Sequence, residues 1–148
     1  MTTPLNLHAC AVVLGRTGLL VAGPSGSGKT GLCLGLIAAC RAEGVFARLI
    51  SDDQVFLSVR SGRLVATAPQ AIAGLVELRG LAPVPTETLP ATVADRLVRM
   101  VPAVPRFAEP ATEALHGIAL PRLDVASDAG AGGIRAVLGW LGLPPFTA

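Results

Sequence analysis

Apolar runs, each soon broken by glycine, proline or charge, pattern the first half of the chain as strands. Leu7–Leu14 is one such run. The turn Gly15-Arg16-Thr17-Gly18 leads from it into a second, Gly18–Ala22, so the two read as a hairpin. The pattern then changes period. Leu32, Leu36, Ile37 and Cys40 recur at helical spacing, which predicts a helix from about Lys29 to Arg41 closed by Gly44. Val45–Ser51 returns to strand character and ends in Asp52-Asp53. Val55–Val59 and Leu64–Ala68 flank Arg60-Ser61-Gly62-Arg63 as a second hairpin. Ala71–Leu78 suits a strand or a short helix, and 81–90 is a Pro- and Thr-rich loop. Val93–Val101 reads as one strand interrupted by Asp95 and Arg96. The prolines of 102–110 make that stretch irregular, Leu120–Val125 is a possible edge strand, and Gly133–Leu141 is a final helix. Strands alternating with helices predict an α/β fold, a central mixed β-sheet with flanking helices, in a single domain spanning 1–148.

One stretch between the first strand pair and the first helix carries chemistry. Gly23-Pro24-Ser25-Gly26-Ser27-Gly28-Lys29-Thr30 meets every fixed position of the G-x-x-x-x-G-K-[ST] phosphate loop, and does so between a strand and a helix. The glycines let backbone N–H groups turn inward at a helix N-terminus, where a polyphosphate finds donors and positive potential together. Lys29 would reach the β- and γ-phosphates of ATP and Thr30 would sit on Mg²⁺. Lys29 is also the only lysine in the chain. A guanine-reading Asn/Thr-Lys-x-Asp motif needs a second lysine, so a GTPase is not expected.

Asp52 and Asp53 follow a strand that could lie beside the loop strand, where acids of this type hold Mg²⁺ or orient a nucleophile. A solvated pair of turn acids has the same pattern. Glu77 and Arg79 would leave the same face of a strand, as an ion pair or as a metal-plus-phosphate pair, and periodicity does not choose between them.

Composition narrows the function classes. A net charge of +2 from scattered arginines, with four Phe, one Trp and no Tyr, offers neither a basic footprint nor a stacking platform for nucleic acid. The hydrophobic fraction is 51% and the mean hydropathy +0.61, yet every apolar run is interrupted before the length of a membrane span, so no membrane association is expected. Met1–His8 lacks the pattern of a signal peptide, which makes the cytoplasm the expected compartment. Cys10, Cys33 and Cys40, without C-x-x-C spacing, read as reduced, buried small hydrophobes.

The order of His8, the phosphate loop, Ser51-Asp52-Asp53 and Glu77-Leu78-Arg79-Gly80 resembles the catalytic domain of the HPr kinase/phosphorylase family over about residues 7–97. That resemblance implies a kinase domain similar to phosphoenolpyruvate carboxykinase, using ATP and Mg²⁺ to phosphorylate a serine of an HPr-like phosphocarrier protein of a phosphotransferase system. It implies that Gly23–Thr30 hold the phosphates, that Asp53 accepts the serine proton, that His8 lies near that acid, and that Glu77 is a second Mg²⁺ ligand. In Ala94-Asp95-Arg96-Leu97, Arg96 falls where the family has a catalytic arginine. The resemblance also implies a homo-oligomer, since the family tends to be hexameric. The family's Pro-Gly-Arg-Asn loop, associated with the phosphorylase reaction, has no counterpart; the nearest region is Leu120–Val125, so phosphorylase activity is doubtful. Two other readings stay open: a P-loop kinase with a small-molecule acceptor, and a regulatory module that senses ATP without turnover.

Overall fold

The computed structural model describes residues 3–147; Met1 and Thr2 of the N-terminal stretch, and Ala148, lie outside them. In chain order the strands are β1 (Leu5–Leu7), β2 (Ala9–Leu14), β3 (Thr17–Ala22), β4 (Ala47–Ser51), β5 (Val55–Arg60), β6 (Arg63–Thr67), β7 (Leu75–Val76), β8 (Val84–Pro85), β9 (Ala91–Val93), β10 (Arg96–Val101), β11 (Ala111–Leu115) and β12 (Ile118–Ala126). The helices are α1 (Lys29–Ala42) and α2 (Ala131–Leu141). A six-stranded mixed sheet in the order β11-β12-β10-β3-β2-β4 forms the centre. The predicted first hairpin is β2–β3, paired from Ala9↔Ala22 to Leu14↔Thr17.

The second hairpin leaves this sheet. β5 and β6 join β1 and β9 in a separate four-stranded antiparallel sheet, β1-β5-β6-β9, packed on one face of the first. The chain changes sheets at His8, between β1 and β2. It changes again at Ala94-Asp95, which is why the single strand expected over 93–101 is two. That crossing is held by Asp95, whose N–H donates to the Gly18 carbonyl at 2.8 Å while its carboxylate accepts from the Gly18 N–H at 3.0 Å. A Cβ on Gly18 would lie 1.7 Å from the Val93 carbonyl oxygen, so only glycine admits this contact between the sheets.

Alternation along the central strands produces two cores. Cys10, Val12, Leu19, Val21, Val98 and Met100 face α1 and α2, where Leu32, Cys33, Leu36, Val137 and Leu138 meet them. Ala11, Leu20, Ile50 and Leu97 face the second sheet and pack on Val55, Leu57, Leu64 and Ala66.

β4 is not the neighbour of β3 that the sequence suggested: β2 lies between them. Because β2 runs antiparallel to both, β3 and β4 end on the same side of the sheet, and the acid pair still arrives beside the phosphate loop. A register shift between Ala11 and Val12 places Ile50 as an extra residue just before that end, a bulge of the kind that re-aims side chains.

β12 is interior rather than an edge, because the unforeseen β11 covers it. On this sheet Glu113 accepts from Arg99 through both carboxylate oxygens and from Arg122 at 3.0 Å, and Arg122 also forks onto Asp124 at 2.9 and 3.1 Å. The Arg99 hydrogen bonds hold the Glu113 carboxyl below the usual carboxylate range, reinforced by Arg122. A depressed carboxylate contributes stability above its unfolded pKa and loses it as pH falls through the folded value. Glu113→Gln should therefore lower stability at neutral pH and flatten the acid limb of a urea-unfolding series below the ordinary carboxylate pKa. An unchanged acid limb would show the cluster to be energetically neutral.

Candidate functional site

The phosphate loop leaves β3 and closes into α1 through two left-handed glycines, Gly26 at φ 78° and Gly28 at φ 94°. Lys29 is 4% exposed, unusual for lysine, and its Nζ donates to the carbonyls of Gly23 at 3.0 Å and Pro24 at 3.1 Å. The ammonium is thereby folded back against the loop. Ser27 Oγ is buried without a partner, an orphan polar atom inside a glycine-lined loop. A Cβ at Gly23 would come within 2.8 Å of that oxygen.

A cavity of about 530 Å³ opens at the loop, lined by Ser25, Gly26, Gly28, Lys29, Thr30, Asp52, Asp53, Glu77 and Arg79 among others. The acids do separate jobs. Asp52 is buried: Oδ1 accepts from the Thr30 hydroxyl at 2.7 Å and from the Cys10 thiol at 3.3 Å, and Oδ2 accepts from the Glu77 N–H at 2.8 Å. It fixes Thr30 and the start of the Glu77 segment. Asp53 is half-exposed, with Oδ1 3.5 Å from Lys29 Nζ and 3.6 Å from His8 Nδ1. His8 Nδ1, in its protonated tautomer, donates to the Asp53 carbonyl at 2.9 Å. Asp53 sits at φ 65°, a conformation that aspartate tolerates better than most residues.

Three expectations change. β7 stops at Val76, so Glu77 and Arg79 leave a loop rather than one face of a strand. Arg96 is not brought to the cavity: it pairs with Leu19, whereas Ala22, which leads into the loop, pairs with Arg99. Three strand residues span about 10 Å, and the Arg96 guanidinium donates to the Asp95 carbonyl at 3.1 Å. The arginine that lines the cavity is Arg79. Lastly, Cys10 is more than a small hydrophobe, since its sulfur also accepts from the Asp53 N–H at 3.3 Å and so joins both acids from below. Its place on the inward face of β2 was legible; its partners came only from the packing of β4 on β2. Below it, the Cys33 thiol is pushed well up by its hydrogen bond with Cys10 and by burial, so it stays neutral. His116 lies in the β11–β12 turn, away from this cavity.

The donor set suits Mg²⁺ bound together with phosphate. Thr30 gives its proton to Asp52, which leaves its oxygen lone pairs free, and Glu77 offers an exposed carboxylate across the same cavity. Mg²⁺ bound by one or two protein oxygens takes its other ligands from phosphate and water. The Asp52 carboxylate accepts from three groups at once, so Asp52→Asn either turns its amide N–H onto the donor-only Glu77 N–H or forces the Thr30 hydroxyl and Cys10 thiol to reverse their hydrogen bonds. It should cost about 1–3 kcal/mol in urea unfolding, besides weakening Mg²⁺-dependent ATP binding. An Asn variant as stable as the parent would remove Asp52 from this organising role.

No family model matches the chain. Among curated proteins it is 32% identical over 99 residues to the HPr kinase/phosphorylase of Clostridium beijerinckii, covering 65% of this chain and 31% of that protein. It is 36% identical over 85 residues to the HPr kinase/phosphorylase of Limosilactobacillus reuteri, covering 57% and 25%. The chain thus spans less than a third of the length of these relatives. The fold matches the Hpr(Ser) kinase/phosphatase of Coxiella burnetii with a TM-score of 0.74 at 20% identity, over 90% of this chain and 86% of that one. With a phosphate loop, an acid pair and the Glu77-Leu78-Arg79 segment meeting in one cavity, and with sequence matches and a fold match that agree, the chain is similar to HPr kinase/phosphorylases in sequence over more than half of its length and in fold.

Proposed function

We propose that this chain is an ATP-dependent protein serine kinase whose acceptor is an HPr-like phosphocarrier protein. The observation that carries the reading is the division of labour between the two acids. Asp52 is buried and fully engaged with Thr30, Cys10 and Glu77, while Asp53 stands at the cavity mouth beside Lys29, open to an incoming hydroxyl. The loop amides and Lys29 would hold the phosphates of ATP. Thr30 and Glu77 would hold Mg²⁺, with Asp52 behind Thr30, and the ion would offset charge on the transferring group. Asp53 would accept the proton of the acceptor serine as its oxygen attacks in line. His8, bonded to the Asp53 carbonyl, would keep that carboxylate at the mouth.

Incubation with Mg-ATP and a panel of HPr-like proteins, read by intact mass and serine mapping, tests this. Gain of one phosphate on a serine is the expected result. ATP binding without transfer to any protein would overturn it in favour of a sensor, and transfer to a small molecule in favour of the other kinase reading. Phosphate-stimulated dephosphorylation should be slow, because Arg122, the cation of the 120–125 segment, is already held by Glu113 and Asp124. Reversal at a rate comparable with the forward reaction would refute that part.

A further inference from the structure

Four arginines far apart in the sequence converge at the end of the molecule opposite the phosphate loop. β2–β3 and β5–β6 are hairpins of different sheets, and both begin at the loop end, with Ala9 opposite Ala22 and Val55 just after the acid pair. Both therefore turn at the far end. The first turns at Gly15-Arg16, and the second at Ser61-Gly62 between Arg60 and Arg63, which pair directly across the hairpin. Arg96 starts β10 at the same end, where its guanidinium donates to the Asp95 carbonyl at 3.1 Å and the Asp95 carboxylate lies 4.0 Å from Arg63. Asp95 in turn is bonded to Gly18, two residues after Arg16. Four arginines thus surround one carboxylate, a surplus of three positive charges in a chain whose net charge is +2. On the α1 side of this end Arg41 and Arg48 meet Glu87, and Glu43 caps the same helix, so that side is balanced. Like charges directly opposite one another weaken a strand pair, so the Arg60–Arg63 pairing is a cost to its hairpin rather than a support.

We propose that this end is an interaction surface for an anionic membrane, held through the phosphates and carboxylates of lipid headgroups. Arginine suits such a partner, because its planar fork binds either group through two parallel hydrogen bonds. Arg16, Arg60 and Arg63 are exposed on turn tips of two packed sheets that end side by side, so they meet a flat partner together. Phe46, 48% exposed, adds a ring beside them: its carbonyl accepts the Gly15 N–H at 2.7 Å, and the Arg48 guanidinium lies 4.6 Å over the ring. One ring among charges is not the centre of a stable protein interface, which is rich in aromatic residues and poor in charge. Nor is it the row of aromatic platforms on which single-stranded nucleic acid stacks. The attraction of each basic residue to an anionic leaflet acts within about a Debye length, so the contact is reversible and sensitive to salt. With this end on the membrane, the phosphate loop and the acid pair, at the other ends of the same hairpins, face solvent.

The test is sedimentation of the whole chain with vesicles of phosphatidylcholine alone, or with about one-third phosphatidylserine, at low and high salt. The surplus charge should raise binding to the anionic vesicles on the order of 10²-fold over neutral ones at low ionic strength, and about 0.5 M NaCl should remove the difference. Arg16→Gln combined with Arg60→Gln, both on exposed turns, should lower binding to the anionic vesicles by about tenfold or more. Neither residue touches the core or the ATP cavity, so the urea midpoint and ATP affinity should not fall. Vesicle binding that ignores phosphatidylserine, survives high salt or persists in the double variant overturns the proposal. So does tighter binding to a short DNA duplex than to the anionic vesicles at equal charge, which would make this end a nucleic-acid surface instead.

Discussion

Lys29→Ala lowers phosphoryl transfer by about 10³-fold and weakens ATP binding by about tenfold or more, with little change in folding stability. The expectation follows from placement. The ammonium is the chain's one lysine charge, is buried, and lies against the carbonyls of Gly23 and Pro24 beside Asp53. No other lysine substitutes for it, and Arg79, the other cation lining the cavity, comes from the loop after β7. Lys29→Arg should restore little, because a planar guanidinium is larger than the compact ammonium that this 4%-exposed position encloses. The measurements are ATP affinity by calorimetry and single-turnover transfer, with a urea melt to show that the fold is intact. Transfer at the parental rate in Lys29→Ala would remove Lys29 from the chemistry.

Asp53→Asn is expected to lower transfer by about 10²–10⁴-fold while leaving ATP affinity nearly unchanged, since an amide keeps the shape of the carboxylate but accepts no proton. The choice of asparagine matters. Asp53 sits at φ 65°, and asparagine is among the few residues that adopt this conformation readily, whereas alanine would add backbone strain. The loss therefore reports on the carboxylate and not on the turn. His8→Ala, which removes the bond to the Asp53 carbonyl, should lower transfer less, and more through acceptor KM than through ATP affinity. Equal and small losses in Asp52→Asn, Asp53→Asn and Glu77→Gln would remove all three from the chemistry.

The loop, the helix behind it and both hairpins were legible because each depends on local rules: glycine where φ is positive, an apolar stripe at helical spacing, and turn residues between strands. α1 closes at Gly44 as the pattern implied, with the Gly44 N–H on the Arg41 carbonyl. Sheet membership was not legible. Nothing local tells Val55–Arg60 that it belongs to a different sheet from Ala47–Ser51, and the division of 93–101 depends on Asp95 reaching Gly18 across 77 residues. β11 escaped notice because Ala-Thr-Glu-Ala-Leu has little strand character of its own. Pairing with β12 supplies its stability.

The sequence by itself determined that a phosphate loop stands between a strand and a helix, since the chemistry of that loop is its own backbone and one lysine, all within eight consecutive positions. It also supplied the acids, but not their division of roles. Tertiary structure alone decided that Asp52 is enclosed by Cys10, Thr30 and Glu77 while Asp53 is left open, because burial and hydrogen bonding at adjacent residues depend on which strands pack behind them. It also separated Arg96 from the cavity and brought Arg79 to it: a strand register and a loop path place a side chain, and neither is written in the residues that surround it in the chain.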